Sequence, residues 1–388
     1  MIFKLDNLKL KDLYSWLVII TLSSFSLYLF THKYISNNYY ILIISGISGF
    51  FLIILYLLLM RQQLHYKEDI FNFVFLIFFV IYGIYFKDID ISILGVLGIS
   101  LLFFSGKEIV KIYGISQLIL VTFLLIFGLF QLIPLITSIQ NGWIYDGNVS
   151  TLTFGLNKNL VGIFFFNIAI FLFISKKFEK KEWLQYILAV IIGLIIIFLV
   201  RDRTVGIILF LFLICYTLIK RKKNISKLSR FLIVLLPIFL TIFSLFLSLN
   251  YGKKEWINIF NENLSGRVQY WNYFWNRFSV SLLPQSLTDY FNMYDMGVIS
   301  TVQYPIDGFY SLGILKDGII VFTLLIALIM FTLLKLLRNF NKNKFIVIVI
   351  ISLLLFSLTE NIALSYGYIC YLFPYILGTF SRDAHNNY

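Results

Sequence analysis

Ile195-Ile-Ile-Phe-Leu-Val200-Arg201-Asp202-Arg203-Thr204-Val-Gly-Ile-Ile-Leu-Phe210 sets three charges between two apolar runs, 184–200 and 204–219. Each run is close to the thickness of a bilayer core, which takes about 20 helical residues. A charged side chain at membrane depth costs roughly 2.5–3.5 kcal/mol even on the mildest scale, so such residues tend to mark a path or a site. The rest of the chain is of the same kind. Of 388 residues, 60% are hydrophobic and 13% charged, and the mean hydropathy is +0.89, which excludes an ordinary soluble domain.

Apolar stretches near 13–30, 39–60, 70–86, 90–104, 113–138, 158–174, 184–200, 204–219, 230–249, 318–337, 344–358 and 361–379 predict an all-α, polytopic bundle of about twelve spans. No repeat of similarly broken helices divides it into halves, as many transporters require. The first apolar run is long and lacks a small-residue cleavage site, so it reads as a retained anchor. Most of the 32 Lys and Arg fall on alternate connections, including Lys176, Lys177, Lys180, Lys181 and Lys220 to Arg230. By the positive-inside rule those connections, and both termini, are cytoplasmic. The net charge of +13 is then an insertion signal with attraction to anionic lipid, and not a nucleic-acid surface.

This topology leaves one long outer connection, 250–317, rich in Trp and Phe. Structureless loops of that length are rare in compact proteins. Within it Asn263 to Phe278 has helical spacing, with Ser265 as an N-cap and Trp271, Phe274, Trp275 and Phe278 along one side. The expectation is a helix lying in the membrane interface, aromatic face down. Arg267 falls in its first turn, where the helix dipole disfavours a cation; an anion held by the free N–H groups and the guanidinium fork accounts for it, and a snorkelling arginine is the plainer alternative.

Cys215 and Cys370 are far apart within expected spans, and His32, His65 and His385 have no ligand spacing. Neither a disulfide nor a metal is expected, and no cofactor. Asp88-Ile-Asp90 has the spacing of a metal-holding acid pair but sits on a short outer connection and reads as a turn.

Four short pieces, in order, resemble the bacterial O-antigen and capsular polysaccharide polymerase family (Wzy-type), which shares a fold with the O-antigen ligases. They are Thr153-Phe-Gly155-Leu-Asn157-Lys158-Asn159-Leu-Val-Gly162, Arg201-Asp-Arg203-Thr204, Ser265-Gly266-Arg267 with Trp271, and Asp307-Gly308-Phe309-Tyr310 followed by Gly313 and Gly318. Two departures stand out: Leu283-Pro284-Gln285-Ser286 replaces a glycine-rich turn, and Asp307-Gly308 stands where the ligases have His-Asn, which favours a polymerase. The resemblance implies a glycosyltransferase at the outer face of the bacterial cytoplasmic membrane. It joins repeat units carried on undecaprenyl diphosphate and releases the carrier, with membrane lipids around it and a flippase and a chain-length regulator as candidate partners. Arg203, Arg267 and Asp307 would be catalytic, Asp307 as base with Glu360 as the second choice. Arg201, Asn157, Lys158, Asn159, Trp271, Arg277, Tyr310 and Glu360 would bind substrate. A ligase, or a flippase of lipid-linked oligosaccharide, is the alternative.

Overall fold

The computed structural model describes residues 7–31, 104, 106–140, 148–154, 158–174, 181–264, 266–285, 287 and 308–359, with isolated positions between 40 and 81. The expected spans 39–60, 70–86, 90–104 and 361–379 fall outside these residues wholly or almost wholly. Cys370, the three histidines and the Asp88–Asp90 pair lie outside them too. Four helices in the described residues are long and apolar enough to cross a membrane: Lys107–Leu129, Glu182–Val200, Lys227–Asn250 and Phe309–Arg338. Lys158–Leu172 and Arg203–Ile219 are shorter apolar helices.

The described residues form two compact units, one up to Leu218 and one from Ile219. The first contains α1 (Asn7–Thr31), α2 (Gly106–Leu129), strands β1 (Ile136–Gln140) and β2 (Asn148–Leu152), α3 (Lys158–Leu172), α4 (Glu182–Leu194) and α5 (Arg203–Ile219). Helix α1 packs on α2 through the Lys11–Glu108 ion pair, and Tyr14 stacks at 5.7 Å on Phe104, just before α2. Helices α3, α4 and α5 share an aromatic cluster in which Phe173 meets Tyr186, Phe212 and Tyr216 at 5.1–5.7 Å.

The strands correct the expected span 113–138. The helix stops at Leu129 and Gln131 turns with φ 58°, and Pro134 further disfavours helical geometry in the residue before it. The β-branched Ile136-Thr137 then suits an extended segment. β1 pairs antiparallel with β2 from Ile136↔Leu152 to Gln140↔Asn148.

The second unit contains α6 (Lys227–Asn250), α7 (Glu255–Asn263), α8 (Arg267–Arg277), α9 (Phe309–Arg338) and α10 (Phe340–Phe356). Ser226 caps α6, its Oγ accepting from the N–H of Ser229 at 3.0 Å, as an N-cap serine does. Helices α6 and α9 pack side by side, and α8 lies against both. Helix α9 starts at Phe309, earlier than the expected 318, because it is two helices joined across a break at Gly318 (φ 74°, ψ 162°).

That break is filled by the segment after α8. The N–H of Gln285 donates to the Lys316 carbonyl at 3.0 Å, and those of Ile319 and Ile320 donate to Ser281 and Leu282. Gln285 Nε2 reaches the Leu315 carbonyl at 3.0 Å. Backbone groups freed by a break in an apolar helix need partners, and 281–285 supplies them. A Cβ at Gly318 would stand 2.5 Å from the Leu283 carbonyl carbon, so both the approach and the positive φ require glycine.

Candidate functional site

In the first unit, α4 continues as a π-helical run, Ile195–Val200. Arg201 ends it in the left-handed region (φ 59°, ψ 29°), and the N–H groups of Arg201 and Asp202 both donate to the Ile196 carbonyl. Such a conformation costs a non-glycine residue of order 1–3 kcal/mol and is held by its surroundings. Asp202 supplies the hold. It is buried, and its Oδ1 accepts from the N–H of Val205 at 3.1 Å, capping α5. Beyond the turn, Gly193 and Gly206 let α4 and α5 approach closely.

Arg201 and Arg203 are both exposed. Between them the Asp202 carboxyl is buried, with Oδ1 engaged at the start of α5. Arg203 also opens α5, where its charge opposes the helix dipole. The two exposed guanidinium groups and the N-terminus of α5 together form a positive end.

Strand β2 lies against the π-helical run, and an added Cβ at Gly162 would stand 2.6 Å from Asp202 Oδ2. The first turn of α3 thus lies beside the arginine turn, which brings the first two motif pieces together. Asn159 is buried and Lys158 half-buried. Asn157 lies outside the described residues.

The second unit joins the other two pieces. The backbone of Gly308 (φ 98°) lies on the indole of Trp271, where a Cβ would meet Nε1 at 2.6 Å. Trp271 is fully buried with Val268, Phe274, Leu247, Leu312 and Leu315, and Trp275 Nε1 donates to the Ser311 carbonyl at 3.0 Å. Helices α6 and α9 cover the aromatic face of α8 at Trp271 and Phe274, with Trp275 and Phe278 half-buried. The exposed apolar residues sit instead on α7, as Trp256 and Ile259, with Trp256 stacked on Phe246 at 6.1 Å.

Two substrate-binding expectations change with it. Trp271 is a packing residue with no surface for a sugar ring. Tyr310 is also fully buried, and its hydroxyl donates to the Leu354 carbonyl at 3.1 Å.

Arg267 is half-buried at the start of α8. The N-cap position is Gly266 (φ 82°), not Ser265, whose placement lies outside the described residues. The buried Asn261 of α7 reaches across, its Oδ1 accepting from the N–H of Gln269 at 3.0 Å, and the N–H of Arg267 donates to the Leu264 carbonyl. With those donors engaged, the helix N-terminus offers an anion less than the sequence led us to expect. Asp307 and Glu360 lie outside the described residues.

The face of α8 opposite Trp271 is polar. Gln269, Asn272, Tyr273, Asn276 and Arg277, with Tyr251 from the end of α6, line an open groove of about 440 Å³. Arg277 donates to the Tyr273 hydroxyl and lies 5.7 Å from the centre of that ring. Burial, and after it the nearby Glu262 carboxylate, raises the Tyr251 phenol above its ordinary value of 10.0.

Two features were missed in the sequence. One is this groove, whose residues look like the solvated side of any helix until α6 supplies the second wall. The other is Asp317, fully buried beside the break in α9; the signal was an acid inside the apolar stretch between Gly313 and Ile320. Compared with family models, curated proteins and solved structures, the chain matches none.

Proposed function

We propose that this chain is a polysaccharide polymerase of the bacterial cytoplasmic membrane, working at its outer face on oligosaccharides carried by undecaprenyl diphosphate. The carrying observation is the Arg201–Asp202–Arg203 turn: two exposed guanidinium groups between apolar helices, with the intervening acid turned inward. A diphosphate is the matching ligand, since guanidinium binds phosphoryl oxygens in a two-pronged fashion. The motif resemblance supplies the rest of the reading.

In the proposed step the acceptor's hydroxyl oxygen attacks the anomeric carbon of the donor, and the carbon–oxygen bond to the diphosphate breaks. The electron pair leaves on that bridging oxygen, and the acceptor proton passes to Asp307, with Glu360 as the second candidate base. Cations set where charge builds on the leaving oxygen lower the barrier; the motif resemblance gives that role to Arg203 and Arg267, and the binding of the diphosphate to Arg201 and Lys158. Trp256 and Ile259 of α7 suit the lipid interface.

One observation favours transport: broken helices with buried charge are a transporter device, and α9 has both in Gly318 and Asp317. Against it, 281–285 already occupies that break. Purified protein given a lipid-linked oligosaccharide decides the matter. A polymerase lengthens the glycan and releases undecaprenyl diphosphate, a ligase needs a separate acceptor, and a flippase in vesicles relocates its substrate unchanged.

A further inference from the structure

We infer that the groove along α8 is a saccharide-binding subsite, positioned by Asn272 and read by Gln269, Asn276 and Tyr251. The inference deepens the polymerase reading and rests on it for the source of the glycan; the groove's chemistry stands by itself. Its lining consists of three amides, two phenols and one guanidinium, with neither carboxylate nor aliphatic side chain. That set does not suit a metal ion, which wants anionic oxygen. Amides and phenols both donate and accept hydrogen bonds, as do sugar hydroxyls. The volume of about 440 Å³ falls in the range of small-ligand sites, roughly 300–1,000 Å³.

The lining is also held in place. Asn272 Nδ2 donates to the Ser248 carbonyl at 2.7 Å, and its Oδ1 accepts from Asn276 Nδ2 at 3.0 Å. This ladder anchors the amide of Asn276 to helix α6 and leaves its Oδ1 and second N–H for a ligand. Arg277 is steadied against Tyr273, and the amides beside it read hydroxyls. Behind the groove, α8 is fixed by buried Trp271 and Phe274. Side chains pre-set on a rigid helix lose little freedom when a ligand arrives, which favours binding.

The test uses the full chain in detergent micelles on an array of bacterial glycans, with the same protein carrying Gln269→Ala and Asn276→Ala together. Both residues are exposed, and circular dichroism checks that the fold is kept. Expected is binding of a subset of glycans that weakens about 10- to 100-fold in the double variant, the loss of two hydrogen-bonding amides, and that inorganic phosphate does not compete away. No glycan bound, undiminished binding in the variant, or full displacement by phosphate would each overturn the proposal. Lengthening of a lipid-linked oligosaccharide is measured in parallel. Binding that depends on the two amides without lengthening leaves the groove and removes the polymerase; lengthening unaffected by the variant does the reverse.

Discussion

Gly308→Ala probes whether the Asp307-Gly308-Phe309-Tyr310 motif holds its glycine for packing. Two costs follow from the geometry. An alanine at φ 98° adopts a backbone state that costs about 1–3 kcal/mol. Its Cβ would stand 2.6–2.9 Å from Nε1, Cε2 and Cζ2 of Trp271, and overpacking of this kind costs about 1–3 kcal/mol more. The sum, about 2–6 kcal/mol, is a large share of an ordinary stability of roughly 5–15 kcal/mol. Trp271→Leu removes the indole and by itself costs about 2–4 kcal/mol through the cavity it leaves. In the double variant the overpacking vanishes while the backbone cost stays, so the pair is less destabilised than the sum of the singles by about 1–3 kcal/mol. Unfolding in mixed micelles, followed by circular dichroism, measures all four proteins. Additivity within about 0.5 kcal/mol would refute the reasoning, because the indole would then not be what the glycine accommodates.

Three further outcomes are expected. Arg203→Lys keeps the charge and loses the planar fork, so polymer formation falls at least about tenfold with membrane insertion unchanged, measured as chain length from lipid-linked substrate. The Tyr251 phenol is raised in the folded state, so its contribution to stability is fully present below its unfolded value near 10 and is lost as pH rises through the folded one; Tyr251→Phe should remove that alkaline loss in a pH series of unfolding midpoints. In a cysteine-free background, Glu262→Cys should react with an impermeant reagent on intact cells and Asn224→Cys only after lysis, and the opposite pattern would reverse the orientation.

The apolar helices were legible because their signal is a long composition average: α3, α5, α6 and α10 start and stop within a few residues of their expected bounds. What escaped depended on single residues. Helix α2 ended at Leu129, ahead of Pro134 and before the apolar run did, and Gly318 marked a break inside a helix that hydropathy alone started too late. The aromatic stripe of α8 was seen correctly as one face, but periodicity does not say whether lipid or protein covers it, and α6 and α9 do. At the arginine turn the charges themselves were evident. The direction of Asp202 was not, since it is set by the cap of α5 and the approach of Gly162.

The filling of α9's break has a consequence for how this helix comes to exist. Four hydrogen bonds at the break use partners from 281–285, and each such group left bare in hydrocarbon would cost several kcal/mol. Helix α9 is therefore not autonomous as a span. Synthesised alone from Phe309 onward, it would do best by closing the gap into a continuous helix, which turns its later residues to a different face from the one that meets α6. Segment 281–285 precedes α9 in the chain and is ready when the break is made. Inserting residues between Arg277 and Gln285 should thus disturb the assembly of a membrane helix, although the insertion itself lies in a connecting loop.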